Sequence, residues 1–428
     1  MLIIYIFLLM MFCQTNCNWD NSTLTVVRSN STNKIYLLLL DKKVKRIIPD
    51  NETVQFFEYN PHSLTEIDET YLDTFKNRSP VISLLTSRRN TPDERMRNYI
   101  HTIKAVHEPT FWKDEYFLDG LGNPSITFVG KKKEFLLSWR IFDDKTLKFG
   151  WLKLGDNRTY SNYSMSTDLG LGPDNDFLVQ KQDFNYDQQD PRLLIENETT
   201  IVISYSIFLG SRPNGLFKQS MVRLRIDEEK AIFSKSSLLE STELFKNEQH
   251  QKNWIPFIYE KRLLFVQSIC PFHVIELVNE ENIRPEVKSV VKNNTTDLPW
   301  KGWHGWPLRG GTPAILVRGV YLSFFHVIFM FQFPYKMRTY FMGALTFCPT
   351  PPFPFHSMSS HPIIREALYQ GPWINNKLDY VVFPTGITLD PDGKHLWLSF
   401  GWQDKHGWLV KMEIDELLSS LTIISECV

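Results

Sequence analysis

Cysteine is scarce in this chain. Five occur in 428 residues, and two of them, Cys13 and Cys17, fall in or beside an apolar leader. Cys270, Cys348 and Cys427 remain, enough for at most one bridge and a free thiol, with the pairing left open by the sequence. A disulfide-stapled miniprotein is excluded, and no CxxC or Cys/His spacing points to zinc. Basic excess is missing too: 47 Lys and Arg stand against 48 Asp and Glu, a formal net charge of −1. Nucleic acid and anionic membranes are held by cationic surfaces, so a general binder of either is not indicated. Long apolar runs are lacking after the first dozen residues. Val320 to Phe333 comes nearest, but it carries His326 and Gln332 and reads as a core strand.

What the chain does have begins at its N-terminus. Leu2 to Phe12 is an unbroken apolar run. A membrane span needs about 20 such residues, so this length suits the apolar region of a signal peptide, although the usual preceding positive charge is missing. Residues 1–17 are expected to be that peptide. Asn-X-Ser/Thr triplets follow at Asn21, Asn30, Asn51, Asn77, Asn157, Asn162, Asn197, Asn293 and Asn294. With the leader, they predict a glycoprotein that is secreted or held in the ER or Golgi lumen, with no stable membrane span. Aromatics are plentiful, at 12 Trp, 16 Tyr and 31 Phe, which suits strands and sugar-stacking sites.

Five segments share one design. They are NPSITFVGKKKEFLLSWRIF from Asn123, DPRLLIENETTIVISYSIF from Asp190, NWIPFIYEKRLLFVQSICPF from Asn253, GGTPAILVRGVYLSFFHVIF from Gly310 and FPTGITLDPDGKHLWLSFGWQD from Phe383. Each has a proline, a short apolar strand, a polar turn and a second, strongly apolar strand. Pro124, Pro191, Pro256, Pro313 and Pro384 are spaced by 67, 65, 57 and 71 residues. Proline at a strand's first residue removes no ladder hydrogen bond. Each period leaves room for two outer strands, such as Lys148 to Leu154 and Met221 to Ile226. Four strands repeated radially make a propeller blade, so the pattern predicts an all-β, five-bladed β-propeller over residues 109–428. A β-sandwich predicts no such recurring phrase.

Residues 18–108 read as an N-terminal extension packed on the propeller. It holds strands at KIYLLLL and VQFF, and a helix near Ser63 to Phe75 whose capping box is Ser63 with Glu66. Arg88 to Arg97 reads as an exposed loop. After Asp404 come a strand, LVKMEI, and a short helix, DELLSS, expected to close the ring. His304, His356 and His361 lack metal-ligand spacing, so no metal and no cofactor are expected.

Inner strands of a propeller converge, so polar residues bracketing them meet although distant in sequence. Asn123, Ser125, Asp190, Arg192, Lys252, Asn253, Arg309 and Thr312 stand at strand starts; Arg140, Ser206, Ser268, His326 and Asp404 stand just past the second strands. Charges beside apolar strands are costly unless paired or used. Clustered in one channel, they suit a polyhydroxylated or anionic ligand. The bland alternative is that Asp190 and Arg192 only tie blades together. Trp254, Trp303 and Trp306 read most simply as core or rim.

The phrases NPSI…LLSWR, QDPRLL, KNWIPF, RGGTPAI…YLSFFH, RTYFMGAL and VVFPTGITLDPDGKHLWLSFGWQD resemble glycoside hydrolase family 130, in the family's order, from about Asn123 to the C-terminus. That family holds β-mannoside phosphorylases and related hydrolases on a five-bladed propeller; related propellers are mannosyltransferases. The resemblance implies that Asp190 is the catalytic acid, acting through a hydroxyl of the bound sugar. It implies that Asn123, Ser125, Arg140 and Asp404 bind sugar, and that Lys252, Arg309, His326 and Tyr340 bind phosphate or another anion. The partners implied are an oligosaccharide or glycan, with phosphate or a nucleotide-sugar. The sequence departs from the family at Ser268-Ile269-Cys270-Pro271, where the phosphorylases usually carry an arginine before the proline; His273 is a candidate to compensate. Gln189 replaces a common glutamate, and Arg309 a usual lysine. Two function classes follow: a carbohydrate-active enzyme working by hydrolysis, phosphorolysis or transfer, or a catalytically inactive glycan-binding or scaffold propeller. An inverting hydrolase needs a second carboxylate about 6.5–9.5 Å from the acid. Asp404 and Asp187 are the candidates.

Overall fold

The computed structural model describes residues 24–39, 44–48, 64–74, 76–77, 109–140, 147–154, 163–166, 187–210, 215–226, 231–234, 236–239, 251–278, 285–293, 308–331, 337–363, 365–369 and 379–427. The leader, VQFF, the Arg88 to Arg97 stretch, Trp303, His304 and Trp306 lie outside them. Strand dominates the described residues, which hold only two short α-helices, and no helix among them is long and apolar enough to cross a membrane.

An N-terminal sheet gathers five short strands between Leu24 and Asn77, with Ile35–Leu39 at its middle between Leu24–Ser29 and Val44–Ile48. The expected helix is a single turn, Glu69–Leu72. Its cap is Asp68, whose carboxylate accepts from Thr70 N at 2.8 Å. Ser63 lies outside the described residues; Thr65–Ile67, which the capping box would have made helical, pairs as a parallel strand with Val27, Arg28 and Ser29.

Five further sheets follow the repeat. Each starts at or beside the marked proline and continues by antiparallel neighbours, except that Asp379–Tyr380 pairs in parallel with Arg338 and Thr339 of the fourth. The first sheet is Gly122–Val129, Glu134–Arg140, Leu147–Leu154 and Tyr163–Ser166. The second begins with Asp187–Asn197, Thr200–Leu209 and Leu216–Ile226. The third is Ile255–Tyr259, Arg262–Ser268, Phe272–Val278 and Glu286–Asn293. The fourth centres on the hairpin Val320–Phe331 and Met337–Phe347. Its inner edge is broken into Arg309–Gly310 and Ile315–Val317, and its outer edge carries Phe355–Met358 and then Thr422–Ile423. The fifth is Val382–Leu389, His395–Trp402 and His406–Glu413, completed by Trp112–Leu118. The tail does supply the expected strand and the helix Ile414–Ser419, but the strand that completes the last sheet comes from before the first repeat.

The apolar strands sort into cores between successive sheets. Leu136 and Phe149 of the first meet Leu193, Ile203 and Val222 of the second. Leu194 and Val202 of the second meet Trp254, Phe265 and Ile275 of the third. A large core joins the third, fourth and fifth through Phe257, Phe324, Phe347, Leu398 and Val410. Tyr116, Trp397 and Leu409 of the fifth then meet Ile126, Leu137 and Leu152 of the first. Each large apolar side chain buried this way contributes about 1.5–3 kcal/mol. Among the described residues Cys348 and Cys427 form a disulfide bridge, the pairing that the sequence left open.

Candidate functional site

The inner strands start with a backbone irregularity. The ladder skips between Gly122 and Ser125 and again between Gln189 and Arg192, so Asn123-Pro124 and Asp190-Pro191 bulge out of register. Asn123 (φ 47°), Asp190 (φ 55°) and Asn253 (φ 64°) all adopt the left-handed conformation, as do Gln403 (φ 58°) and Asp404 (φ 59°) at the end of the fifth sheet's hairpin. Asn and Asp tolerate that region best, and a following proline pushes its predecessor toward extended backbone instead. Such strain costs on the order of 1–3 kcal/mol per residue and gathers at functional sites. Glycine makes room for it: a Cβ on Gly401 would lie 1.8 Å from Asn123 Oδ1.

The bulges bring polar groups of all five sheets together. Asp190 is only 6% exposed, and its Oδ1 accepts from Asn123 Nδ2 at 2.8 Å. Asp404, in the turn after Trp402, is accessible to water yet crowded by protein; burial raises its carboxyl pKa first, and Asp190 adds to the rise, while Arg140, Arg338 and Lys252 oppose it. Lys252 lies 4.2 Å from the centre of the Phe217 ring. Burial lowers its ammonium pKa, the nearby Asp190 and Asp404 raise it, and Arg309 and Arg192 lower it. His326 pairs in register with Arg309 and is almost wholly buried. Burial foremost, then the charges of Arg309, Lys252 and Arg192, hold its ring well below the usual histidine range, so it is neutral. It stacks on Tyr340 at 5.9 Å and meets Phe383 edge-on at 4.5 Å. Its Nδ1 is buried with no hydrogen-bond partner among the described residues. A cavity of about 450 Å³ opens beside Lys252 and Arg309, walled by Phe217, Gln251, Gln267, Ser268 and Leu308.

Asp190, Asp404, Arg140, Lys252, Arg309, His326 and Tyr340 thus lie in one neighbourhood. Asn123 joins them through Asp190. Ser125 is different. It is fully buried, its hydroxyl donates to Thr385 O at 3.2 Å and accepts from Leu193 N at 2.9 Å, so it links the first, second and fifth sheets. Arg192 is likewise a tie: its guanidinium donates to Asp190 O at 2.8 Å, to Asn253 Oδ1 at 3.1 Å and to Gly311 O. Burial brings its pKa down to about 10 against the pull of Asp190. His273, the residue considered for the place of the expected arginine, sits between two neighbouring side chains. Its Nδ1 lies 3.2 Å from Gln267 Oε1 and its Nε2 3.0 Å from Ser289 Oγ, so both nitrogens are engaged. Arg338, of the RTYFMGAL phrase, was not singled out by the sequence reading; a cation set in an apolar strand was the signal.

Two carboxylates beside cations and a neutral imidazole can hold hydroxyls, transfer a proton and neutralise an anion. No family model matches the chain, and no curated protein matches it. Solved structures of glycoside hydrolases and mannoside phosphorylases are similar to it at low identity. A glycosyl hydrolase from Bacteroides ovatus shares 13% identity, covering 69% of this chain and 85% of that one, with a TM-score of 0.48. A mannose phosphorylase from Leishmania mexicana, in complex with a phosphate ion, shares 11% over 78% and 97%, with a TM-score of 0.47. A β-1,2-mannobiose phosphorylase from Listeria innocua shares 15% over 74% and 94%, with a TM-score of 0.43.

Proposed function

We propose that the chain is a carbohydrate-active enzyme of the secretory pathway, acting on β-mannosides or related glycans by single displacement, with Asp190 as the acid. One observation carries this reading: Asp190 and Asp404 lie in mutual electrostatic contact inside a cluster of cations drawn from several sheets. The fold behind it is a five-bladed propeller, a reading supported by cores that pass from sheet to sheet and from the fifth back to the first.

In this mechanism Asn123 and Arg140 orient the sugar beside Asp190. Asp190 gives its proton toward the glycosidic oxygen, by way of a sugar hydroxyl. Lys252, Arg309 and Arg338 stabilise the anionic partner, either phosphate or the diphosphate of a nucleotide-sugar, while neutral His326 supplies a hydrogen bond without adding charge. With water as acceptor, Asp404 is the second carboxylate that an inverting hydrolysis requires.

The test is a screen of the secreted protein against mannosides, with and without phosphate and with nucleotide-mannose donors, followed by Asp190→Asn. This isosteric change keeps an acceptor for the Asn123 amide. Turnover is expected to fall at least 100-fold with the melting temperature preserved, within the about 10²–10⁴-fold that a positioned acid contributes. Full activity of the variant overturns the assignment. Sugar binding with no turnover in the wild type supports the inactive glycan-binding alternative.

A further inference from the structure

Asn197 sits at the far tip of the second sheet, in the turn that joins Asp187–Asn197 to Thr200–Leu209. It is exposed. Its Oδ1 accepts from Thr199 N at 3.0 Å and from Thr199 Oγ1 at 3.1 Å, while its Nδ2 makes no hydrogen bond among the described residues. Asn197-Glu198-Thr199 is an N-glycosylation triplet. A cleft of about 350 Å³ adjoins this turn, lined by Asn197 and Thr199 and, on its apolar side, by Phe128, Val129, Ile195 and Ile226. Ile195 is 38% exposed there. None of the residues that gather around Asp190 lines this cleft.

We propose that Asn197 carries an N-linked oligosaccharide whose first N-acetylglucosamine lies in this cleft and covers Ile195 and Phe128. A sugar ring offers hydroxyls on its rim and C–H groups on its face, which suits a cleft lined by polar Thr199 and Lys131 together with the aromatic Phe128. The reaction joins Nδ2 of Asn197 to C1 of the sugar. The C1–O bond to a lipid-linked diphosphate breaks, the lipid diphosphate leaves, and the amide proton passes to the transferase that catalyses the step. The co-reactant is that lipid-diphosphate oligosaccharide, and nothing is oxidised or reduced. The Cys348–Cys427 bridge independently suits a chain matured in an oxidising lumen. Asn30, also exposed and in a triplet, differs, because its side chain hydrogen-bonds Asp68.

The experiment uses the full chain secreted from a eukaryotic host. Peptide-N-glycosidase treatment in ¹⁸O-water converts a glycosylated asparagine to a heavy aspartate. Peptide mapping is expected to find that label at position 197 in most molecules. Unmodified Asn197 overturns the proposal, whether or not Asn30 is labelled. The cleft is tested by trimming the glycan to a single N-acetylglucosamine, expected to leave the melting temperature unchanged. Asn197→Gln is expected to lower it by a few degrees and to raise binding of an apolar dye, while Thr199→Ser, which keeps the triplet, does neither. Equal melting temperatures for the trimmed wild type and Asn197→Gln overturn the seating of the sugar in the cleft. If Asn197→Gln is not secreted, removing the last sugar enzymatically supplies the same comparison.

Discussion

The side-chain amide of Asn123 donates to Oδ1 of Asp190 at 2.8 Å, joining two left-handed residues that each precede a proline. The carboxylate of Asp190 is therefore aimed by a residue of the neighbouring sheet. Replacing Asn123 by Ala removes the donor and leaves Asp190 free to turn. A side-chain hydrogen bond of this kind is worth about 0.5–3 kcal/mol, so kcat is expected to fall roughly 2- to 100-fold. A pH–rate profile that shifts along with the loss of kcat distinguishes this positioning role from a general loss of folding.

Arg192 is expected to matter for stability before it matters for chemistry. Its guanidinium holds acceptors of three sheets, at Asp190 O, Asn253 Oδ1 and Gly311 O. Arg192→Met keeps much of the side chain's length but strips the donors from those buried acceptors. A loss of about 3–5 kcal/mol is expected, the usual cost of removing one partner from a buried charged network. Chemical denaturation measures it, and a change below 1 kcal/mol contradicts the role.

His326 predicts a dependence on acid. Its folded pKa lies well below the ordinary 6.5, because it is buried and faces Arg309, Lys252 and Arg192. A lowered pKa means that the unfolded chain takes up the proton first. The contribution to stability is therefore present above pH 6.5 and is lost as pH falls below it toward the folded value. His326→Gln, which cannot protonate, is expected to flatten the decline of melting temperature below about pH 6.5. An identical decline in both proteins contradicts this.

Cys348 and Cys427 close a loop of 79 residues, and Ser425 and His356 tie the same tail to the fourth sheet. Cys427→Ser is expected to cost about 4.5 kcal/mol, the loop-closure value for that length. Hydrogen exchange is expected to rise along Phe355–Met358, where Thr422–Ile423 pairs, and to stay unchanged at the Asp190 cluster.

The five repeat units were legible because proline, a short strand, a polar turn and an apolar strand recur as a local phrase. The partner of His406–Glu413 was not, since Trp112–Leu118 pairs with it from the far side of the repeat region and nothing local marks a long-range ladder. In the site, Asp190, Asp404, Arg140 and Lys252 were legible as charges beside apolar strands. Ser125 read as a sugar ligand for the same positional reason, yet a small hydroxyl fits between strands and links sheets. His273 read as a spare imidazole, but its strand register turns it toward Gln267 and Ser289. Sequence places a residue at a strand end, whereas the bulge decides which way its side chain goes.

The pairing of Trp112–Leu118 with His406–Glu413 has a consequence for synthesis. Leu118 meets Gly407, so 407 − 118 = 289 residues separate the partners. A ribosome adding about 5–20 residues per second takes roughly 15–60 s between them. Throughout that interval the earlier strand has emerged while its ladder partner has not, and Trp397 and Leu409, which complete the core around Tyr116 and Leu118, are still to be made. The nascent chain thus carries an unpaired strand edge, a target for chaperones, for most of its translation. A truncation anywhere before Gly407 leaves Trp112–Leu118 without its ladder partner, although that strand lies near the start of the chain.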